Sequence, residues 1–367
     1  MRNKTVVLVL LLLFGLNNVL FAQKSDYNEY HRTIADAEYN IFVLKDSIKG
    51  LKEFKKTFDN YDFVFVDDCI EAFELALYFK QDAYAMSFIK KALDNGFELK
   101  ILDQLNMGYT GDFRKVTIYQ PFIRTNQKAL EAYARLHYPT YLKRIDRKLL
   151  EDILRRHIRE QLFKNYHEGL TGLVGANRQQ DMKEQDEIYR KISDDNLDFI
   201  DSLAQQGVFL GEKNLGIYTD KLVDRLHLSF HSIEDLLHQV LRYYHLPENT
   251  YVPINRERDY FEIDPVYNIL FHNARSYSVL DKYKAEAIKE GYLHPRAYES
   301  LKFNHDGFSE SEQLYLSPSN KVVKDTSYMN TKRRQSFLST YETDLKKHQF
   351  AHLHNLKLYF GFRGETK

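Results

Sequence analysis

The sequence predicts a mainly α-helical protein, and three observations carry that expectation. Apolar residues recur at intervals of three and four through most of the chain, the spacing that aligns them on one face of a helix. Glycine and proline are sparse, 15 and 7 among 367 residues, whereas sheet-and-turn architectures need frequent chain reversals. A seven-residue pattern, Phe54-Lys-Lys-Thr-Phe58-Asp-Asn60, returns as Ile89-Lys-Lys-Ala-Leu93-Asp-Asn95, 35 residues further on. That offset is close to the roughly 34-residue period of some helical-hairpin arrays.

The first residues concern the compartment. Arg2 and Lys4 precede an apolar run from Val6 to Leu16, and Val19-Leu20-Phe21-Ala22 leads into Gln23. This is the pattern of a cleavable secretory signal over residues 1–22. A membrane helix needs about 20 apolar residues, and Asn17 and Asn18 interrupt this run. The expectation is a secreted or periplasmic protein with no stable membrane insertion after cleavage. Removing Arg2 and Lys4 leaves 50 basic against 52 acidic groups, a balance that gives no global attraction to nucleic acid.

Helical spacing begins with Tyr30, Ile34, Ala37, Ile41, Leu44 and Ile48 and continues past Gly50 through Leu51, Phe54 and Phe58. A second hairpin is expected from Asp68 to Lys80 and Ala83 to Leu93, with a turn at Gln81-Asp82 and closure at Asn95-Gly96. The recurrence is either a structural repeat or a coincidence of two amphipathic helices, and a hairpin pair follows in both cases. With small residues Ala72, Ala76, Ala85 and Ala92, the stretch Tyr30 to Leu105 resembles tetratricopeptide-repeat proteins. The resemblance implies stacked hairpins that present a concave surface to a peptide or protein partner. The single cysteine, Cys69, has no disulfide partner and lies among Val66, Ile70 and Phe73, so a buried inert thiol is expected.

From Met107 to Thr125 the period weakens around Gly108, Gly111 and Pro121, which predicts a connector. Helical spacing resumes from Asn126 to Leu136 and is expected to break at Tyr138-Pro139. Tyr141 to Tyr166 then reads as a long helix, where eight basic and four acidic residues between Lys143 and Lys164 suit a solvated face better than a phosphate track. The glycines Gly169, Gly172 and Gly175 lack the Gly-Lys-Ser/Thr ending of a phosphate loop. They suggest a linker over 169–180, which divides residues 23–168 from 181–367. Met182 to Gln206 reads as a helix pair closed by Gly207. Asp194, Asp195, Asp198 and Asp201 fit an exposed acidic face better than a hard-cation site.

The densest information runs from Asp264 to Phe303. Val266, Ile269, Leu270, Ala274, Tyr277, Leu280, Tyr283, Ala287 and Ile288 predict one helix from the Asp264-Pro265 cap to Gly291. His294-Pro295 then starts a short helix through Tyr298. The stretch FHNARSYSVLDKYKAEAIKEGYLHPRAYESL, with the upstream DDNLDFIDSLAQQGVFLG, resembles a domain of secreted bacterial proteins of unknown function. Over about 181–303 that resemblance implies a fold and no chemistry.

Histidines supply the candidate chemistry. His227, His231, His238 and His245 would share one face of an unbroken helix, but Ser232 and Asp235 have the form of a capping box that restarts it. His238 and His245 would stand about 10 Å apart along a helix axis. His227 and His231, joined by His272 across the fold, remain as metal candidates. His272 alone reads as a structural imidazole beside an apolar face. In His348, His352 and His354, a strand from Ala351 to Phe360 would place His352 and His354 on one face. The ten basic and four acidic residues from Lys321 to Lys367 suggest instead an exposed basic C-terminal arm, with some extended structure after Ser317.

Taken together, these features favour a secreted or periplasmic helical scaffold that binds a peptide or protein partner, without nucleic acid and with no cofactor. The alternative is a metal-dependent hydrolase using His227, His231 and His272.

Overall fold

A computed structural model describes residues 26–104, 117–171, 178–217, 265–273, 275–298 and 326–358, with isolated positions 222, 225–227, 238, 241–242, 245 and 301. Among the described residues there are thirteen helices and no strand, so the chain is mainly α-helical. None of these helices is long and apolar enough to cross a membrane.

Four helices open the chain: α1 (Tyr27–Phe42), α2 (Ser47–Asn60), α3 (Val66–Tyr78) and α4 (Asp82–Asp94). Short connections make α1 and α2, and α3 and α4, packed antiparallel hairpins. Asp26 caps α1 by accepting from the Asn28 amide at 2.9 Å, and Asp46 caps α2 by accepting from Lys49 at 2.9 Å. The restart at Asp46 breaks the helical phase, so Leu44 and Ile48 are exposed although they continue the apolar spacing of α1. Gly50 belongs to the α1–α2 contact, because a Cβ there would meet the Ile41 side chain at 2.4 Å and the Ala37 carbonyl at 2.7 Å.

The recurring pattern occupies the second helix of each hairpin. Phe54 and Ile89 are both buried, as are Phe58 and Leu93. α2 ends on Asn60, and Asn95 caps the end of α4. At Gly96, with φ of 91°, the chain takes the left-handed turn that closes the hairpin.

A short turn, α5 (Ile101–Gln104), is followed by α6 (Gln120–Arg144). α6 starts before Asn126 because Pro121 sits in its first turn, where no amide hydrogen is needed. Pro139 does not end it. The hydrogen bond lost at proline is offset by burial of Tyr138 and Tyr141 on either side, and the helix stops only at Ile145. Next come α7 (Arg147–Thr171), α8 (Arg178–Gln205) and the turn α9 (Glu212–Leu215). α8 is one continuous helix rather than a pair.

The stretch from Pro265 to Glu290 differs from the single helix its spacing predicts. It forms α10 (Pro265–Phe271) and α11 (Ser276–Lys289), broken where the Asn273 side chain accepts from the Arg275 amide at 2.9 Å. This local bond competes with helix continuation, yet Val266, Ile269, Leu270, Val279, Ala287 and Ile288 are all buried. Gly291, at φ 79°, ends α11 against the ring of Tyr27.

The chain closes with α12 (Thr326–Gln335) and α13 (Tyr341–His354). Residues 351–354 are therefore helical, which corrects the expected strand. Thr340 starts α13 by accepting from the Thr343 amide at 3.2 Å, and buried Tyr341, Asp344, Lys347 and Ala351 hold it in the fold. Nor is α13 an exposed basic arm, since it packs on α1.

Two apolar clusters result. The first joins α1–α4 to Tyr119, Leu130, Ala351, Leu356 and Leu358. The second joins Tyr138, Tyr141 and the stripe of α7 to α8, α10 and α11.

Candidate functional site

Three polar constellations stand out, and only one of them is open. The first is buried between the hairpins and the C-terminal helices. Lys347 is fully buried and donates to Glu38 at 2.6 Å and to Glu71. Asp344 on the same helix accepts from Arg296 at 3.0 Å and from Arg333, and Ser339 donates to Glu38. Three buried acids thus face two buried bases, Lys347 and Arg333, and the half-buried Arg296. Burial is the largest influence on Glu71 and pushes its carboxyl well above the ordinary range, although Lys347 opposes it. Burial would raise Glu38 and Asp344 too, but Lys347 with Arg296, and Arg296 with Arg333, hold them below it. Beside this cluster Tyr30 donates to Asp68 at 2.6 Å, and His294 approaches the same carboxylate at 3.4 Å. A largely buried arrangement of ion pairs of this kind orients helices.

The second constellation contains His272. Its Nδ1 lies 2.7 Å from the Oε1 of fully buried Glu160, whose Oε2 accepts from Asn196 at 2.6 Å. These residues tie α7 to α8 and to the end of α10. The imidazole is thus hydrogen-bonded at a helical interface.

His227 is elsewhere. It is an exposed turn residue, and its carbonyl accepts from Arg147 at 2.5 Å. Arg147 and Glu160 are 13 residues apart on α7, roughly 20 Å along the axis at 1.5 Å per residue. The structure therefore does not bring His227 and His272 together, and His231 lies outside the described residues. His238 and His245 are exposed. Among the described residues, no three His, Cys, Asp or Glu side chains converge as a metal site. The acids of α8 meet bases: Asp194 and Asp198 pair with Arg275 at 3.0 and 3.3 Å, and Asp201 with Lys282 at 3.8 Å. Cys69 is buried, and burial, followed by the Asp68 carboxylate, pushes its thiol well up. Such a thiol is a poor nucleophile.

The third constellation is a groove of about 630 Å³ between the end of α4 and the first half of α6. Leu93, Phe97, Tyr119 and Ile123 form its floor, and Lys100, Arg124, Gln127, Glu131 and Arg135 its rim. Glu98 projects from the loop after α4. Its Oε2 is 3.6 Å from Lys100, while its Oε1 is buried with no hydrogen-bond partner among the described residues. That oxygen is enclosed by protein, so the charges that face the groove are those of its rim. Sequence spacing missed the groove because it sits where helical period gives way to a loop.

What the fold and groove define is a class, a mainly α-helical protein with packed hairpins and an open mixed surface. No family model, curated protein or solved structure matches the chain.

Proposed function

We propose that this chain is a helical scaffold that holds a peptide or protein segment in the groove between α4 and α6, exported as its first 22 residues suggest. The observation that carries this reading is the groove at the end of the second hairpin, with an apolar floor and a rim of both charges. An extended segment offers apolar side chains to such a floor and polar groups to such a rim. The recurrence of α2 in α4 adds support, since stacked hairpins of this period commonly present binding surfaces. The hydrolase alternative gains no support from His227 and His272, since His227 engages the start of α7 and His272 its middle.

A photoreactive residue placed at Gln127 in the full chain, expressed in its own cells, tests the reading. A discrete polypeptide adduct should form there and should be absent when the same residue is placed at Lys56, on an exposed face of α2. Ile123→Asp, which puts a charge on the apolar floor, should weaken the adduct several-fold. Equal labelling from both positions, or none from Gln127, would end the proposal.

A further inference from the structure

We propose that the peptide held between α4 and α6 is acidic, with a carboxylate two residues to either side of a central apolar side chain; this rests on the reading of that groove as a peptide site. The charges of the rim point to it. Arg124 and Arg135 both line the groove and are exposed, and among the described residues neither makes an ion pair or a hydrogen bond. The other rim charges are engaged. Lys100 lies 3.6 Å from the Glu98 Oε2, and Glu131 accepts from Gln127 at 2.9 Å. Two free guanidiniums therefore face the groove, and the planar fork of a guanidinium matches a carboxylate.

Spacing along α6 sets the pattern. Arg124 and Arg135 are 11 residues apart, about 16 Å along the axis and within about 20° of one face. Glu131 lies between them on that face. An extended peptide rises about 3.3 Å per residue and turns alternate side chains to one side. Residues i, i+2 and i+4 thus share the groove side, with i and i+4 about 13 Å apart. Two long arginine side chains close the remaining few ångströms. The middle side chain then falls over the apolar floor and level with Glu131, where leucine or isoleucine is favoured and a third acid is repelled.

The experiment titrates the mature full chain with short fluorescein-labelled peptides, read by fluorescence anisotropy. One has leucine at its centre and aspartates two residues to either side, a second moves the aspartates next to the leucine, and a third replaces them with asparagines. The first should bind about threefold tighter than the second and about tenfold tighter than the third, and the preference should shrink as salt rises. Arg124→Gln and Arg135→Gln, both at exposed positions, should each weaken the first peptide about threefold and leave the third unchanged. Lys52→Gln, on an exposed face of α2, should change neither, and circular dichroism checks that each variant is folded. Equal binding of the two aspartate peptides, equal binding of the aspartate and asparagine peptides, or no binding of any would overturn the proposal. A polypeptide adduct still forming at Gln127 would then leave the peptide site standing, and its absence would remove the site as well.

Discussion

The two apolar clusters are built from the same helical alphabet but solve burial differently. The first is dense in aromatic rings, with Tyr27, Tyr30, Phe54, Phe58, Phe63, Phe65 and Phe88 in mutual edge or tilted contact. It recruits Ala351, Leu356 and Leu358 from the far end of the chain. Its seam with the C-terminal helices contains three buried acids, two buried bases and the half-buried Arg296. The second cluster is mostly aliphatic and gathers the stripe of α7 with α8, α10 and α11. Its polar contribution is small, centred on Glu160, Asn196 and His272. The contrast teaches that apolar contact alone suffices where long amphipathic helices align. Docking a remote helix at one position requires charges that only one register satisfies.

If that contrast is sound, the largest effect should come from breaking the buried charge cluster. Lys347→Met leaves Glu38 and Glu71 without their shared cation, and unfolding in urea should show a loss of about 3–5 kcal/mol. A loss below about 1 kcal/mol would mean that the seam is solvated and the comparison false.

Phe54→Ala and Ile89→Ala probe the hairpins themselves. Each deletes a fully buried side chain at an equivalent place in the recurrence, and losses of about 3–5 and 2–5 kcal/mol are expected. Markedly unequal effects, with one near zero, would argue that the two hairpins are not equivalent units.

For the second cluster, His272→Ala should cost about 1–3 kcal/mol, since it leaves Glu160 buried without one of its partners. Metal content measured alongside should not change. Removal of a stoichiometric metal, with the thermal midpoint of the chelated protein unmoved, would make His272 a ligand instead.

The pH dependence sharpens the comparison further. Asp344 and Glu38 are held below the ordinary carboxylate range, so each contributes stability that is present above the unfolded value of about 4 and is lost as pH falls through the folded one. Asp68 behaves likewise: burial alone would raise it, but His294, Tyr30 and His31 together hold it well below that range. Glu71 has the opposite sign. Its folded value is raised, so its contribution is full below about 4.3 and is lost as pH rises through the folded value. Glu71→Gln should therefore flatten the decline of stability on the neutral side and leave the acid limb intact. An unchanged profile on both sides would remove Glu71 from the account.

The smallest effects belong to glycines. At Gly96 a Cβ would fall 2.2 Å from the Tyr141 ring with φ at 91°, whereas at Gly207, φ 75°, nothing lies within 4 Å. Gly96→Ala should cost more than Gly207→Ala, for which only the left-handed backbone penalty of about 1–2 kcal/mol applies. Equal midpoints in thermal unfolding would show that Tyr141 yields freely.

Much of this was legible in the residues. Helical spacing identified the four opening helices, the burial of Phe54 and Ile89, the inert Cys69, and the buried stripe between Val266 and Ile288, because a period near 3.6 is a local property of the chain. The same local rule misjudged Leu44, Ile48 and the break at Asn273, where a side-chain cap or turn outweighs periodicity over a few residues. It misjudged His352 and His354 as strand neighbours, for α13 pairs His348 with His352 instead.

The sequence by itself determined the helical class, the hairpin recurrence and the near-neutral charge, since each depends on composition or on spacing within one or two helical turns. Only the tertiary structure decided that Lys347 lies between Glu38 and Glu71, that His227 meets the start of α7 and His272 its middle, and that the groove beside Glu98 is open. Those facts depend on contacts between residues as many as 309 positions apart. Such pairings are selected by the fit of whole helices, and no local pattern of residues encodes them.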